Sequence, residues 1–226
     1  MEFRRCTLAD CHNAEGLVVV IDVLRAFTTA AWAFHRGAAE ILLTTTVEDA
    51  FDLRARQPGA WIMGEVDALP VDGFDLPNSP TAVAAAGLRG RTLIHRTTAG
   101  TQGACRTVAA EHLFVASLVV ASATAARIRA LDPQIVTFVE TGRRDHDSGD
   151  EDVACADFLE GLLNGSPPDC EAIRARVRGS KAGRRFADPA QPEFPAADLD
   201  HALEIDRFDF AMTTRLGSQG LSLVRR

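Results

Sequence analysis

Short apolar runs alternate with amphipathic or alanine-rich segments along the chain up to about Asn164. The clearest run is Leu17 to Ile21, whose β-branched residues are typical of a strand buried in a parallel sheet. An alanine-rich segment follows from Ala26 to Arg36, and Gly37 is a typical helix end. Repeated alternation of this kind predicts an α/β fold, with a mostly parallel sheet covered by helices on both faces.

The same pattern places the other elements. Further strands are predicted at Ala39 to Thr44, Trp61 to Met63, Arg91 to Arg96, His112 to Ala116 and Ile135 to Val139. Further helices are predicted from a Thr46 cap to about Gln57, from a Ser79-Pro80 start to near Gly87, from the Thr97–Thr101 turn through Cys105 and Val108, from Leu118 to Leu131, and from Glu151 to Leu163. The breaker Asn164-Gly165-Ser166-Pro167-Pro168 ends the readable pattern, and Asp188 to Pro195 is predicted to be a surface loop.

Composition narrows the class of protein. With 226 residues and 46% hydrophobic content, the chain can bury a large core, so we expect a single domain over residues 1–226. Two subdomains stay open, with the C-terminal part beginning at about residue 164. The formal net charge of -7 argues against nucleic acid as a partner, and no apolar run is long enough to span a membrane.

The cysteines indicate a cellular compartment. The chain has 5 cysteines, an odd number, and no Cys-x-x-Cys pair. This predicts reduced thiols in the cytoplasm and argues against a structural zinc site. The N-terminus lacks the apolar core of a secretory signal, which agrees with a cytoplasmic location. A homo-oligomer is left open.

Polar residues concentrate where predicted strands end or helices begin. In a parallel sheet these turns meet at one edge, where α/β proteins bind their ligands. A carboxylate followed by an arginine, as at Asp22 and Arg25, can hold a metal ion and an anionic group together. The alternative is a structural Asp22–Arg25 pair that caps the following helix. The residues of this set are Asp22, Arg25, Glu65, Asn78, Ser79, Thr97, Thr98, Thr101, Arg143, Glu151 and Asp152.

Two features of this set suggest phosphate chemistry. The Thr97–Thr101 turn has several hydroxyls, and its Gly100 lets a phosphate approach the backbone, although threonine-rich caps also occur without a ligand. Asp22, Glu65 and the Glu151–Asp152 pair offer the hard oxygen ligands that suit Mg²⁺, which in turn favours a phosphorylated substrate. The alternative for the last pair is that both acids only oppose the dipole of a helix N-terminus.

Several other phosphate-processing classes are excluded by spacing. The chain has no Gly-x-x-x-x-Gly-Lys loop and no Gly-x-Gly-x-x-Gly after its first predicted strand. Asp22 lacks the second aspartate two residues later that haloacid-dehalogenase-type phosphatases carry. Cys155 has Gly161 where cysteine-dependent phosphatases place an arginine, so a thiolate nucleophile is disfavoured.

Five short segments, taken together, resemble the 2-phosphosulfolactate phosphatase family, often called ComB. They are Val-Ile-Asp-Val-Leu-Arg-Ala (20–26), Gly-Glu (64–65), Asn-Ser-Pro (78–80), Thr-Thr-x-Gly-Thr (97–101) and Gly-Arg…Glu-Asp-x-x-Cys-Ala (142–156). Their order and positions match across roughly Leu17 to Leu163. The resemblance implies the family's α/β fold and magnesium-dependent hydrolysis of a phosphate monoester to sulfolactate and inorganic phosphate.

The chain departs from the family pattern at four positions. Val66 stands where the family has an arginine, and Ala99 stands where it has an asparagine; Pro77 and Asp157 each replace a glycine. Loss of the arginine and the amide removes groups that could hold a doubly anionic substrate. Arg96 or Arg143 could replace the lost cation, so the true substrate stays open.

These observations together predict a magnesium-dependent phosphatase that acts on a small phosphorylated acid, 2-phosphosulfolactate or a related 2-phospho acid. Direct attack by water and a phosphoenzyme both remain open. One alternative is a paralogue, non-catalytic or of altered specificity, that binds an anionic metabolite; another is a purely structural module. The expected roles are catalytic for Asp22, Arg25 and Glu65, metal-binding for Asp22, Glu65, Glu151 and Asp152, and phosphate- or substrate-binding for Asn78, Ser79, Thr97, Thr98, Gly100, Thr101 and Arg143.

Overall fold

The computed structural model describes residues 1–107, 109–143, 148–166 and 168–226. This part of the chain contains ten strands, nine α-helices and two short 3-10 helices, Cys11–Asn13 and Leu118–Val120. The strands are β1 (Glu2–Thr7), β2 (Leu17–Ile21), β3 (Glu40–Thr44), β4 (Trp61–Gly64), β5 (Leu76–Pro77), β6 (Thr92–Arg96), β7 (His112–Ala116), β8 (Ile135–Glu140), β9 (Met212–Gly217) and β10 (Gly220–Arg225). The helices are α1 (Ala26–His35), α2 (Val47–Arg56), α3 (Pro80–Ala85), α4 (Gly100–Arg106), α5 (Ala121–Leu131), α6 (Asp150–Leu163), α7 (Cys170–Gly179), α8 (Lys181–Arg185) and α9 (Ala196–Ala202).

All ten strands join one mixed sheet in the order β1-β8-β2-β7-β9-β10-β3-β6-β4-β5. Strands β1, β8, β2 and β7 form a parallel first group, and β3, β6, β4 and β5 form a parallel second group. The β9–β10 hairpin joins the groups through three successive antiparallel pairings, β7 with β9, β9 with β10, and β10 with β3. Because each pairing reverses the direction, the two groups run in opposite directions.

Helices cover the sheet on both faces, as the alternation in β2 shows. Val18 and Val20 join a core with α1, α3 and α4, whereas Leu17, Val19 and Ile21 join a core with α5, α6 and α7. A third, smaller core packs α2 against the second strand group. All five residues of β2 are fully buried, which confirms the prediction of a buried strand in a parallel sheet. The predicted α/β class is therefore confirmed.

The helix caps predicted from sequence are present. Thr46 accepts a hydrogen bond from the Asp49 main-chain N–H at 3.0 Å, so its side chain begins α2. Ser79 likewise accepts from the Ala82 N–H at 3.2 Å, and Pro80 is the first residue of α3. The predicted continuation of α4 to Val108 and the Pro167 of the predicted breaker lie outside the described residues.

The chain after Asn164 was not readable from the sequence. It forms α7 to α9 and then the hairpin at the centre of the sheet, while β1, also unpredicted, pairs with β8 at one edge. The segment from Asp188 to Pro195 has no helix or strand, as predicted, but it is more than a surface loop because its Phe194 is buried. None of the helices that the structure describes is long and apolar enough to cross a membrane.

Candidate functional site

A cavity of about 590 Å³ lies where the carboxyl ends of strands from both groups meet. Asp22 follows β2 and Thr141 follows β8 in the first group, while Glu65 follows β4 and Thr98 follows β6 in the second. The sequence predicts these turns at one edge of a parallel sheet. Because the two groups run in opposite directions, the predicted edge is wrong, although the turns do converge on one cavity.

One side of the cavity, which we name the carboxylate wall, consists of Asp22, Glu65, Glu151 and Asp152. All four side chains are buried. Burial, together with the charges of Glu65 and Glu151, raises the pKa of Asp22 to about 6, against hydrogen bonds from the main chain of Ala26 and Gly100. The pKa of Asp152 is also raised, by burial first and then by the charges of Glu151 and Asp22. The wall therefore brings together carboxylates whose negative charges repel one another.

Main-chain groups hold two of these carboxylates in place. Asp152 Oδ1 accepts from the Val23 N–H at 2.8 Å, and its Oδ2 accepts from the Gly142 N–H at 2.7 Å. Glu65 accepts from the Thr98 N–H through one oxygen, and from the Ala68 N–H and the Thr98 hydroxyl through the other. These bonds fix the direction in which each carboxylate faces the cavity.

Asp22 caps the first turn of α1, since its Oδ1 accepts from the Ala26 N–H at 2.9 Å. Its other oxygen lies against Gly100, where an added Cβ would stand 2.7 Å from Asp22 Oδ2. A side chain at position 100 would therefore collide with Asp22, which explains the glycine. The Gly100 of the predicted phosphate turn thus acts by giving room to a carboxylate.

Arg25 points into the same cavity but does not pair with Asp22. Its Nη1 donates to Asp198 Oδ2 at 2.8 Å and to the main-chain oxygen of Glu193 at 2.9 Å. Phe186 and Phe194 lie over its guanidinium, with ring centroids 5.5 and 5.0 Å from Cζ. In the alternative of a structural Asp22–Arg25 pair that caps the helix, the pairing is therefore wrong, although Asp22 does cap α1; the anionic partner of Arg25 is Asp198.

Ser79 and Asn78 lie beside this arginine network. Ser79 donates its hydroxyl to Asp198 Oδ1 at 2.7 Å, so its polar contact is with a buried carboxylate rather than with the main cavity. Asn78 lines the cavity, and its Oδ1 lies 3.3 Å from Nε2 of His95. Burial lowers the pKa of His95 to about 3, so this imidazole is neutral and orients the amide.

The Thr97–Thr101 turn contributes to the cavity through its middle residues. Thr98 and Ala99 line the cavity. Thr97 and Thr101 are buried and bond to each other, the Thr97 N–H to Thr101 Oγ1 at 2.8 Å and the Thr101 N–H to Thr97 Oγ1 at 3.0 Å. These two hydroxyls shape the turn, and the structure does not bring them to the cavity.

Two other positions lie apart from the cavity lining. Arg143 is exposed and pairs with Glu140 at 3.2 Å, so the structure does not group it with the predicted phosphate-binding residues. Val66 is absent from the lining, because its main chain pairs with that of Leu69 in a tight turn whose Asp67 and Ala68 have positive φ angles of 51° and 67°. The Val66 side chain therefore does not line this cavity.

A second part of the cavity lining, which we name the C-terminal wall, consists of Lys181, Arg185, Phe186 and Phe194. Sequence reasoning missed all four, together with Asp198 and His95. The only local signal was the basic and aromatic run from Lys181 to Phe186, which has no spacing typical of a site. Asp198 gave no signal, because an aspartate in the first turn of α9 is ordinary at a helix start.

The carboxylate wall has the oxygen donors that suit Mg²⁺. Among the residues that the structure describes, no three His, Cys, Asp or Glu side chains form a ready-made metal-binding group. Mg²⁺ needs fewer, since it usually keeps several waters and uses one or two carboxylates. The raised pKa values of Asp22 and Asp152, caused in part by neighbouring carboxylates, indicate a concentration of negative charge that a bound cation would offset.

A second and larger cavity, of about 850 Å³, lies beside the β9–β10 hairpin. It contains none of the residues that the sequence singled out for chemistry. The smaller cavity is the better candidate site, because it alone of the two collects the buried carboxylates and Arg25.

Comparison with known proteins gives a consistent picture. A family model described as 2-phosphosulpholactate phosphatase matches residues 5–182. The chain is 36% identical over 201 residues to a probable 2-phosphosulfolactate phosphatase of Bacillus subtilis, covering 87% of this chain and 86% of the relative. A probable 2-phosphosulfolactate phosphatase of Deinococcus radiodurans is 40% identical over 164 residues, with 72% of this chain and 68% of the relative covered.

Proposed function

The chain belongs to the 2-phosphosulfolactate phosphatase family, a family of phosphoric monoester hydrolases, and from this premise we propose that it hydrolyses a small 2-phospho acid with the help of Mg²⁺. The favoured substrate is 2-phosphosulfolactate, the compound after which the relatives are named. Hydrolysis breaks the ester bond to phosphorus and transfers the phosphoryl group to water, giving the hydroxy acid and inorganic phosphate.

The observation that carries this proposal is the carboxylate wall in a cavity that also contains Arg25. Asp22 and Glu151 are the proposed direct ligands of Mg²⁺, since both are buried carboxylates that line the cavity and the charge of Glu151 helps to raise the pKa of Asp22. Glu65 and Asp152 then act on ligand water or through their charge. When bound, Mg²⁺ would neutralise charge on the phosphoryl oxygens.

The chain's own polar groups orient the phosphoryl group in this scheme. Arg25 donates to Asp198 and to two main-chain oxygens, and its remaining N–H groups are the proposed donors to phosphoryl oxygens. Asn78, oriented by the neutral His95, is a second proposed donor. Fixed donors of this kind stabilise charge in the transition state without reorganising. Direct attack by water and attack by a carboxylate are both compatible with this arrangement.

The test is phosphate release from 2-phosphosulfolactate by the purified protein. We expect release with Mg²⁺, its loss after exhaustive chelation, and recovery when Mg²⁺ is added back. Activity that persists undiminished after chelation would remove the metal from the scheme. Thermal stabilisation by the substrate without phosphate release would instead support the binding paralogue.

A further inference from the structure

The charges in the cavity are divided between its two walls. Four carboxylates come from segments that belong to the recognised motifs, whereas Lys181 and Arg185 come from α8, at or beyond the end of the segment that matches the family. A 2-phospho acid is divided in the same way, into a phosphoryl group and a separate acid group. The phosphoryl group with its metal suits the carboxylate wall, which leaves the acid group to the cations.

Arg25 is poorly suited to hold that second acid group. Its guanidinium forms an ion pair with the fully buried Asp198 at 2.8 Å, so the pair together carries no net charge. The rings of Phe186 and Phe194, which pack on each other as well as on the Arg25 guanidinium, also hold it in place. A cation with its charge still available must come from elsewhere.

Arg185 meets that requirement. In the described part of the chain it forms no ion pair, and its Nε donates to the neutral Gln191 side chain at 3.3 Å. Its guanidinium lies over Phe194, with Cζ 3.8 Å from the ring centroid, and the same ring also faces Arg25. The stack holds the charge at the cavity without neutralising it.

The helix that carries Arg185 is itself firmly placed. Ser180 caps α8 by accepting from the Gly183 N–H at 2.8 Å. Gly183 packs so closely that an added Cβ would stand 2.0 Å from the Val177 main-chain oxygen. Arg185 therefore extends from a helix whose position the preceding α7 determines.

We propose that Arg185 binds the second acid group, a carboxylate or sulfonate, of the phosphate ester, a part that the uncharged Val66 cannot take. This inference rests on the proposed function. It makes Arg185 a specificity residue. Arg185 acts on the binding of phosphate esters that carry a further acid group, and it leaves unchanged the hydrolysis of phosphate esters of uncharged alcohols.

The test compares two substitutions and two substrates. Arg185→Gln removes the charge at the cavity, and Arg184→Gln is the matched control, since Arg184 is the preceding exposed residue of α8 and does not line the cavity. 2-Phosphosulfolactate carries additional acid groups, whereas glycerol 2-phosphate is a secondary phosphate ester with neutral groups in their place. We expect Arg185→Gln to raise KM for 2-phosphosulfolactate by about ten- to thirtyfold and to change KM for glycerol 2-phosphate by less than about twofold.

The control separates this effect from a general loss of charge. Arg184→Gln should leave KM for each substrate within about twofold of the wild-type value. Equal effects of Arg185→Gln on both substrates, or equal effects of the two substitutions, would overturn the inference while hydrolysis itself stays established. If the wild type hydrolyses neither ester, the proposed function fails. Calorimetric binding of 2-phosphosulfolactate, weakened by Arg185→Gln or not, then decides the role of Arg185 separately.

Discussion

The two walls of the cavity are built by different means. In the carboxylate wall each acid directly follows a strand or begins a helix, and main-chain N–H groups hold Asp22, Glu65 and Asp152. In the C-terminal wall a short helix and an irregular loop are held by aromatic stacking and by the buried Asp198. The first wall depends on backbone geometry, and the second depends on side-chain packing between distant segments.

The difference suggests how function is distributed. Backbone-held carboxylates are suited to a fixed reaction centre that needs the same charge and position for any phosphate ester. Stacked side chains at the end of the chain can change without disturbing that centre. We therefore expect substitutions in the carboxylate wall to abolish hydrolysis, and substitutions in the C-terminal wall to alter stability or substrate preference.

The largest expected effect is that of Asp22→Asn. It should lower kcat by at least about a thousandfold, because it removes the charge that we place on the metal. It should also raise or maintain the free energy of unfolding, because the pKa of Asp22 is raised by burial and by neighbouring carboxylates. Chemical denaturation and phosphate release measure the two effects. A folded variant with near-normal kcat would contradict the role of the carboxylate wall.

The next largest effect is that of Asp198→Asn on stability. It leaves the buried Arg25 without its anionic partner, so the free energy of unfolding should fall by about 3 kcal/mol. The control is Asp200→Asn on the same helix, whose side chain is 74% exposed and pairs only loosely with Arg178 at 3.9 Å. It should cost less than about 0.5 kcal/mol. Similar losses in both variants would show that Asp198 is not the anchor of Arg25.

A smaller effect is expected for Ser79→Ala. It removes the hydroxyl that donates to Asp198 and caps α3, so it should cost about 1–2 kcal/mol of stability. Because the hydroxyl faces Asp198, kcat/KM should change by less than about threefold at a temperature where the variant is folded. A large loss of kcat/KM in a stable variant would return Ser79 to the substrate-binding residues that the sequence suggested.

The smallest effect is expected for Phe194→Leu. Loss of the ring that faces both Arg25 and Arg185 should lower the preference for 2-phosphosulfolactate over glycerol 2-phosphate by about threefold. Phe210→Leu is a suitable control, because Phe210 packs on Phe34 and Phe208 away from the cavity. An unchanged preference in Phe194→Leu, or the same change in both variants, would separate Phe194 from substrate selection.

The division between the walls also explains what the sequence could predict. The buried run of β2 and the caps at Thr46 and Ser79 follow from local patterns, and the motif residues Asp22 and Glu65 do line one cavity. The reversal of the second strand group does not, because a hairpin more than a hundred residues later in the chain causes it.

The partners of buried charged groups could not be predicted from the sequence either. Arg25 pairs with Asp198 although the two are 173 positions apart, and nothing near either residue indicates the other. The same holds for Arg185, whose role depends on where α8 packs. Arg143 shows the reverse case, since its motif position suggested a site residue and the structure leaves it exposed with Glu140.

Direct titration of Mg²⁺ into the purified protein tests the central claim, which is that the carboxylate wall holds the metal and the C-terminal wall does not. Isothermal titration calorimetry would compare the wild type with Asp22→Asn and Arg185→Gln. We predict binding to the wild type, loss of at least about tenfold in affinity in Asp22→Asn, and affinity within about twofold of the wild type in Arg185→Gln. Absence of Mg²⁺ binding by the wild type, or equal affinity in wild type and Asp22→Asn, would contradict the claim.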